Sequence, residues 1–339
     1  MSHRARIQEV AEAAGVSLKT VSRVLNKEPN VRPETRERVE AAVRELNYRP
    51  SSSARSLAGQ RSFVIALLYD NPSKNYLMEI LLGVLDACEE NGYHMVLLPM
   101  PKEAEKFAEA VDALIAHSRP DGLILTPPIT DNAVLLERIR ALALPFASVS
   151  PKDASHAIGV IVDERRAAFD IVTHLVHLGH RRIAHVRGHP DHGAAEWRWR
   201  GYLEAMAAGG VAVDPLLVVE GAFSYDSGVA AANKLLALAE PPTAIFAAND
   251  DMAAGAIRAA FERGLSVPRD VSICGFDDSP MSSQIFPSLT TVRQPGRDMG
   301  RASTLELLRA IREPGTGSMV RIDYVLQLRN STGVAPRRG

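Results

Sequence analysis

Apolar side chains in the first fifty residues recur at helical spacing. Ile7, Val10, Ala11 and Ala14 fall at i, i+3, i+4 and i+7, which gives one helix an apolar face. Gly15 can take the left-handed conformation that ends such a helix, and Ser17 is a good N-cap for the next. In that second helix Val21, Val24 and Leu25 point inward, while Leu18, Lys19, Ser22, Arg23 and Asn26 share the opposite face. A third helix starts at Pro33, with Glu34 and Glu37 near the positive end of its dipole and Val39, Val43 and Leu46 as its buried stripe. Two short helices with a glycine at the corner make a helix-turn-helix, whose second helix fits the DNA major groove. A plain helical hairpin with a solvated polar face fits the same spacing.

After residue 62 the pattern changes. Residues 62–69, 94–98, 122–126, 146–148, 160–162, 183–186, 217–219, 244–247 and 271–274 are short apolar runs that read as strands. Helices fit between them, for example over 75–91, 165–178, 195–208, 226–238 and 251–263. Strands alternating with helices predict parallel sheets covered on both faces, and two such sets predict two subdomains.

Charge divides the chain at the same place. Residues 1–61 hold twelve Lys+Arg and seven Asp+Glu, a net of +5, while the whole chain is −1, so the remainder carries −6. A basic front end can release counterions from DNA while an acidic body stays off it. Cys88 and Cys274 lie far apart in apolar surroundings, which fits buried thiols in a reducing compartment. Met1 to Arg6 is polar, no apolar stretch follows, and no run reaches membrane-spanning length, so a cytoplasmic location is expected. No Gly-x-Gly-x-x-Gly follows a strand, and neither a Walker loop nor Gly-x-Ser-x-Gly occurs, which weighs against an α/β enzyme. Six histidines fall between His174 and His192, but no acidic or cysteine partner has metal-site spacing, and neither a metal nor a cofactor is expected.

Three stretches are specific together: Ile7-Gln8-Glu9-Val10-Ala11, the run Gly15 to Asn26 (Gly-Val-Ser-Leu-Lys-Thr-Val-Ser-Arg-Val-Leu-Asn), and Tyr48-Arg49-Pro50. In these the chain resembles bacterial transcription regulators of the lactose-repressor/galactose-repressor family, and the resemblance runs to the C-terminus. Ser51 departs from the asparagine the family often has there. The resemblance implies an N-terminal three-helix helix-turn-helix domain (1–50) and a hinge helix and linker (51–61). It implies an α/β periplasmic-binding-protein-like body of two doubly wound parallel-sheet subdomains (62–339). The N-subdomain would span about 62–161 plus 293–322, and the C-subdomain about 162–292 plus 323–339. Ser17, Thr20, Ser22 and Asn26 would hold the DNA backbone. Leu18 and Lys19 would set operator preference, and Arg23 would touch base or phosphate. Leu57 would be the hinge wedge that enters the minor groove, an ordinary linker contact being its alternative.

Open sheets bind ligands at the C-terminal ends of their strands, and those ends are polar here. Asp70 and Asn71 follow the first strand, Asn249 follows residues 244–248, and Asp277 follows residues 271–274. Arg198-Trp199-Arg200-Gly201 matches the family's Arg-x-x-Gly, so the resemblance makes Arg198 the effector-binding arginine. It gives Asn249 and Asp277 hydrogen bonds to the effector, stacks Phe223 on a ring, and puts Gln294 near the inter-lobe crossing. Read without the resemblance, Asn249 and Asp277 are residue types that usually cap loops or helices. Guanidinium, amide, carboxylate and an aromatic face describe a neutral polyol site. The expected protein is a homodimeric repressor of sugar-utilisation genes, bound to a near-palindromic double-stranded operator and controlled by a sugar. A purine or nucleoside effector, and a sugar-binding protein without DNA regulation, are the alternatives.

Overall fold

The computed structural model describes residues 5–25, 30–48, 61–153 and 158–336. Contacts divide the chain into two compact units, Met1–Phe63 and Val64–Gly339.

In the first unit α1 spans Ile7–Ala14, α2 Leu18–Leu25 and α3 Pro33–Glu45. Gly15 sits at φ 63, and the amide of Val16 returns to the Ala11 carbonyl at 3.0 Å, which closes α1 as its glycine predicts. Val10, Val21 and Val39 are fully buried at the centre, with Ala14, Val24 and Ala42 around them. Ile7, Leu25, Val43 and Leu46 pack at the edge, only partly buried. Tyr48, beyond α3, also enters this core.

The second unit alternates strands and helices as the pattern predicts. Its first lobe is a six-stranded parallel sheet, with β1 at Val64–Tyr69, β2 at His94–Pro99, β3 at Gly122–Leu125, β4 at Phe146–Val149, β5 at Gly159–Ile161 and β11 at Met319–Arg321. The strand order is β11-β5-β4-β3-β1-β2. One face carries α5 (Phe107–Ser118) and α6 (Ala133–Ala141) over Ala66, Leu68, Leu123 and Leu125. Packed on each other at this lobe are α4 (Lys74–Glu90) and α12 (Gly296–Arg312), and α12 also packs on β3, β4 and β5. Their backbones touch, since a Cβ at Gly83 would lie 1.9 Å from the Arg297 carbonyl oxygen and one at Gly300 2.1 Å from that of Ile80.

The second lobe holds β6 (Ile183–Arg187), β7 (Val218–Glu220), β8 (Ala244–Ala247) and β9 (Ser272–Cys274) in the parallel order β7-β6-β8-β9. β6, up to its last residue, and β8 are buried on both faces, as a doubly covered sheet requires. One core joins them to α9 (Tyr225–Leu236) and α10 (Asp250–Glu262), the other to α7 (Glu164–His177) and α8 (Gly193–Ala208). β10 (Thr291–Arg293) pairs antiparallel with β12 (Val325–Gln327) and bridges to the chain at Cys274 and Asp277. The chain therefore passes between lobes near residues 162, 294 and 323.

Candidate functional site

On α2 the expected cap is present: Ser17 Oγ accepts the Thr20 amide at 3.2 Å and lies 3.0 Å from the Thr20 hydroxyl. Val21 and Val24 point inward, so the opposite face is left to solvent. Leu18 is 45% exposed, Lys19 and Arg23 are exposed, and Thr20 and Ser22 are half-buried. An exposed leucine beside a lysine and an arginine suits a groove surface, where apolar and charged contacts alternate. Asn26 and Leu57, also expected at DNA, lie outside the described residues.

The second site lies between the lobes. Strand ends and helix starts meet there, because in parallel sheets each strand feeds the N-terminus of the next helix. Ser73, Glu164, His192 and Asn249, each at or beside such a helix start, line a cavity of about 30 Å³ with Tyr76, Arg198, Phe223 and Asp277. That volume holds about two waters. Ligand pockets run to roughly 300–1,000 Å³, so in this arrangement the cleft is filled by its own side chains.

Arg198 is the centre of it. Its Nε donates to Glu164 Oε2 at 3.1 Å, its Nη1 to the Ala248 carbonyl, and its Nη2 stands 3.7 Å from Asp277 Oδ1. The guanidinium carbon lies 3.8 Å from the centre of the Phe276 ring. All three charged side chains are buried, Arg198 at 4% exposure, Glu164 at 6% and Asp277 at 8%. Burial pushes the Asp277 carboxyl up to about 7, against the pull of Arg198 and the Gln294 amide, which donates at 2.7 Å. Burial raises Glu164 too, with Arg198 opposing. Behind them burial and the Asp277 charge raise Asp250, which accepts the Thr291 hydroxyl at 2.6 Å and the Ser279 amide at 2.8 Å. Burial holds His192 down to about 4, so it stays neutral.

Two of the expected effector residues sit on strained backbone: φ is 117 at Asp277 and 55 at Phe223. Phe223 is seated by Gly188, where an added Cβ would come 1.9 Å from its ring. Asn249 performs the capping role, since its Oδ1 accepts the Met252 amide at 3.0 Å, and its Nδ2 donates to the Phe223 carbonyl at 3.0 Å. It lines the cavity as well. Asn71 lines it too, with its Oδ1 taken by the Ser73 amide and its Nδ2 by the Pro127 carbonyl.

Asp70 directly follows β1, and Gln294 follows β10 at one of the lobe crossings. Neither is on the cavity wall. Burial raises the Asp70 carboxyl, and the Lys102 charge opposes it. Gln294 donates to the Asp277 carboxylate, which is on that wall. Glu164, Tyr76, His192 and Ser73 were not singled out from sequence. Glu164 carries the same strand-end signal as Asp277, but an acidic residue in a first helical turn reads as dipole compensation.

Among the described residues no group of three or more potential metal ligands assembles. His180 bonds Thr243, Ser272 and the Gly333 carbonyl, and His185 stacks with Phe246 and Tyr202, so both are structural. Cys88 and Cys274 are buried and unbridged. No helix among the described residues is long and apolar enough to cross a membrane.

Residues 6–51 match the family model "Bacterial regulatory proteins, lacI family", and residues 172–332 match "Periplasmic binding protein-like domain". The chain is 34% identical to catabolite control protein A of Priestia megaterium over 96% of this chain and 98% of that protein. It is similar to the lac repressor dimer bound to operator and the anti-inducer ONPF, with TM-score 0.81 and 32% identity over 98% of this chain and all of that one. It is also similar to the transcriptional regulator CelR in complex with cellobiose, with TM-score 0.74 and 32% identity over 97% of this chain and all of that one.

Proposed function

The chain belongs to the lacI family of bacterial regulatory proteins and is a DNA-binding transcriptional regulator; we propose that a sugar held between its lobes sets its affinity for operator DNA. The observation that carries this reading is the buried Arg198–Glu164–Asp277 group facing Phe223 across one inter-lobe cavity. Planar donors and acceptors beside an aromatic ring suit vicinal hydroxyls on a ring whose other face is apolar. A sugar-bound relative of the same fold adds to it.

The mechanism is a two-state clamp. Two subunits place their α2 helices in successive major grooves of a near-palindromic site, and their paired hinge segments bend the duplex through Leu57. Lys19 and Leu18 read base edges, Arg23 contacts the duplex, and Ser17, Thr20, Ser22 and Asn26 position the unit. Effector entry parts the lobes around Arg198 and releases the operator. The coupling is reciprocal, about 1–3 kcal/mol, so operator must weaken effector binding by the same factor. The controlled genes are those for using the sugar.

The test is selection of bound fragments from genomic DNA, then gel shifts of the best fragment with sugars and, separately, nucleobases. Release by one sugar is the expected outcome. No preferred fragment overturns the operator assignment, and release by a nucleobase alone overturns the sugar.

A further inference from the structure

Among the described residues, the cavity wall holds one guanidinium, Arg198, and two carboxylates, Glu164 and Asp277. A third carboxylate, Asp251, bonds Ser73 and Asn75 at the start of α4 and acts on Asp277. The wall's other titratable groups are neutral: burial keeps the His192 ring uncharged and the Tyr76 hydroxyl protonated.

The Arg198 charge is already countered by protein carboxylates, although N–H donors on Nη1 and Nη2 remain for a neutral hydroxyl. Glu164 takes its Nε, the Ala248 carbonyl takes its Nη1, and Asp277 faces its Nη2. Helix N-termini usually offer a second means of holding an anion. Here Glu164 is the first residue of α7, and Asp250 and Asp251 open α10, so protein carboxylates occupy that field at two of the cavity's helix starts, and Asp251 also accepts the Ser73 hydroxyl at the start of α4. An anionic ligand would meet Glu164, and the Asp277 carboxyl once it ionises, in a deeply buried site where repulsion is screened least. A hydroxyl or an ammonium group would instead find carboxylate oxygens with lone pairs to spare.

We propose that Glu164 determines the charge of the effector: by holding Arg198, it makes the cleft reject phosphorylated and carboxylated ligands and accept a neutral polyhydroxylated or amine-bearing one. This deepens, and rests on, the reading of the cleft as the effector site.

The experiment uses the full chain and orthophosphate as a probe, with chloride at equal ionic strength as reference. Thermal shift and calorimetry are run on the unaltered protein, Glu164→Gln and Arg198→Gln. Glu164→Gln keeps the side chain's shape and an acceptor for Arg198 but removes the charge. The unaltered protein should gain nothing from phosphate, and Glu164→Gln should bind it about tenfold or more tightly. Phosphate binding by the unaltered protein that Arg198→Gln abolishes, or no gain in a folded Glu164→Gln, overturns the proposal.

A second arm needs no variant. Glucose, glucosamine and glucose 6-phosphate are compared, and so are galactose, galactosamine and galactose 6-phosphate. Within each set the phosphate ester should bind most weakly, and a phosphate ester that outbinds its parent overturns the proposal. Operator binding that responds to no small molecule overturns the effector reading instead, and leaves the phosphate arm to decide the role of Glu164.

Discussion

The Ser73 hydroxyl donates to Asp251 Oδ2 at 2.5 Å, from the start of α4 in one lobe to the start of α10 in the other. Asn75 Nδ2 adds a second bond to the same carboxylate at 3.0 Å. One aspartate thus ties the lobes together at the rim. Asp251→Ala should cost about 1.5–3 kcal/mol of stability, the range for hydrogen bonds to a charged group. It should also enlarge the ligand-free protein in small-angle scattering. An unchanged scattering curve and urea midpoint would remove the clasp.

Removing Arg198 leaves Glu164 buried without its partner. Arg198→Ala should therefore destabilise by about 3–5 kcal/mol. Replacing both ends, as Arg198→Met with Glu164→Leu, should recover most of that loss in guanidinium unfolding, yet leave operator binding unresponsive to effector. If the double variant is no more stable than Arg198→Ala, the pair is not the source of the cost.

Asp277 and the histidines give opposite pH trends. The Asp277 pKa, raised to about 7, means the folded chain holds a proton that the unfolded chain releases near pH 4, so this group's contribution falls as pH rises from about 4 to 7. His185, lowered by burial to about 3, and His192, lowered to about 4, act the other way: their contribution is complete above about pH 6.5 and is lost as pH falls. Asp277→Asn should remove the first trend, so its stability relative to the parent should climb between pH 4 and 7 and then level off. A pH-independent difference would show that Asp277 does not titrate there. The same variant should lose its effector response and keep operator affinity in a gel shift.

Gly188 has no room for a methyl group, because Phe223 lies against it. Gly188→Ala should displace the ring, weaken effector binding at least several-fold by calorimetry, and leave operator affinity unchanged without ligand. Unaltered effector affinity would take the Phe223 ring out of the site.

Leu57→Ala should weaken operator binding and reduce the bend angle measured by circular permutation gels, since an apolar wedge between base steps kinks the duplex. A full bend in the variant would assign Leu57 to the linker alone.

Much of this architecture was legible because β1, β3 and β8 are continuous apolar runs separated by amphipathic helices. α12 is harder to read from pattern, because its buried face includes Ser303 and Thr304, which bond back to the Gly300 carbonyl inside the helix. In the cleft, Arg198 and Asp277 follow from motif and strand end. The pairing of Arg198 with Glu164 does not, since the two are 34 positions apart and meet only once α7 packs on α8. Asn249 shows the limit of residue type as a guide, because one side chain caps a helix and lines a cavity together.

β11 lies at the edge of the first lobe's sheet beside β5, although it is the next-to-last strand in the chain. During synthesis, therefore, β1 to β5 emerge from the ribosome without their neighbour and without α12 over their exposed face. The second lobe's sheet, β6 to β9, is finished earlier than the first. The lobe translated first is completed last, so a truncated transcript that stops short of residue 296 would expose apolar sheet to chaperones and proteases.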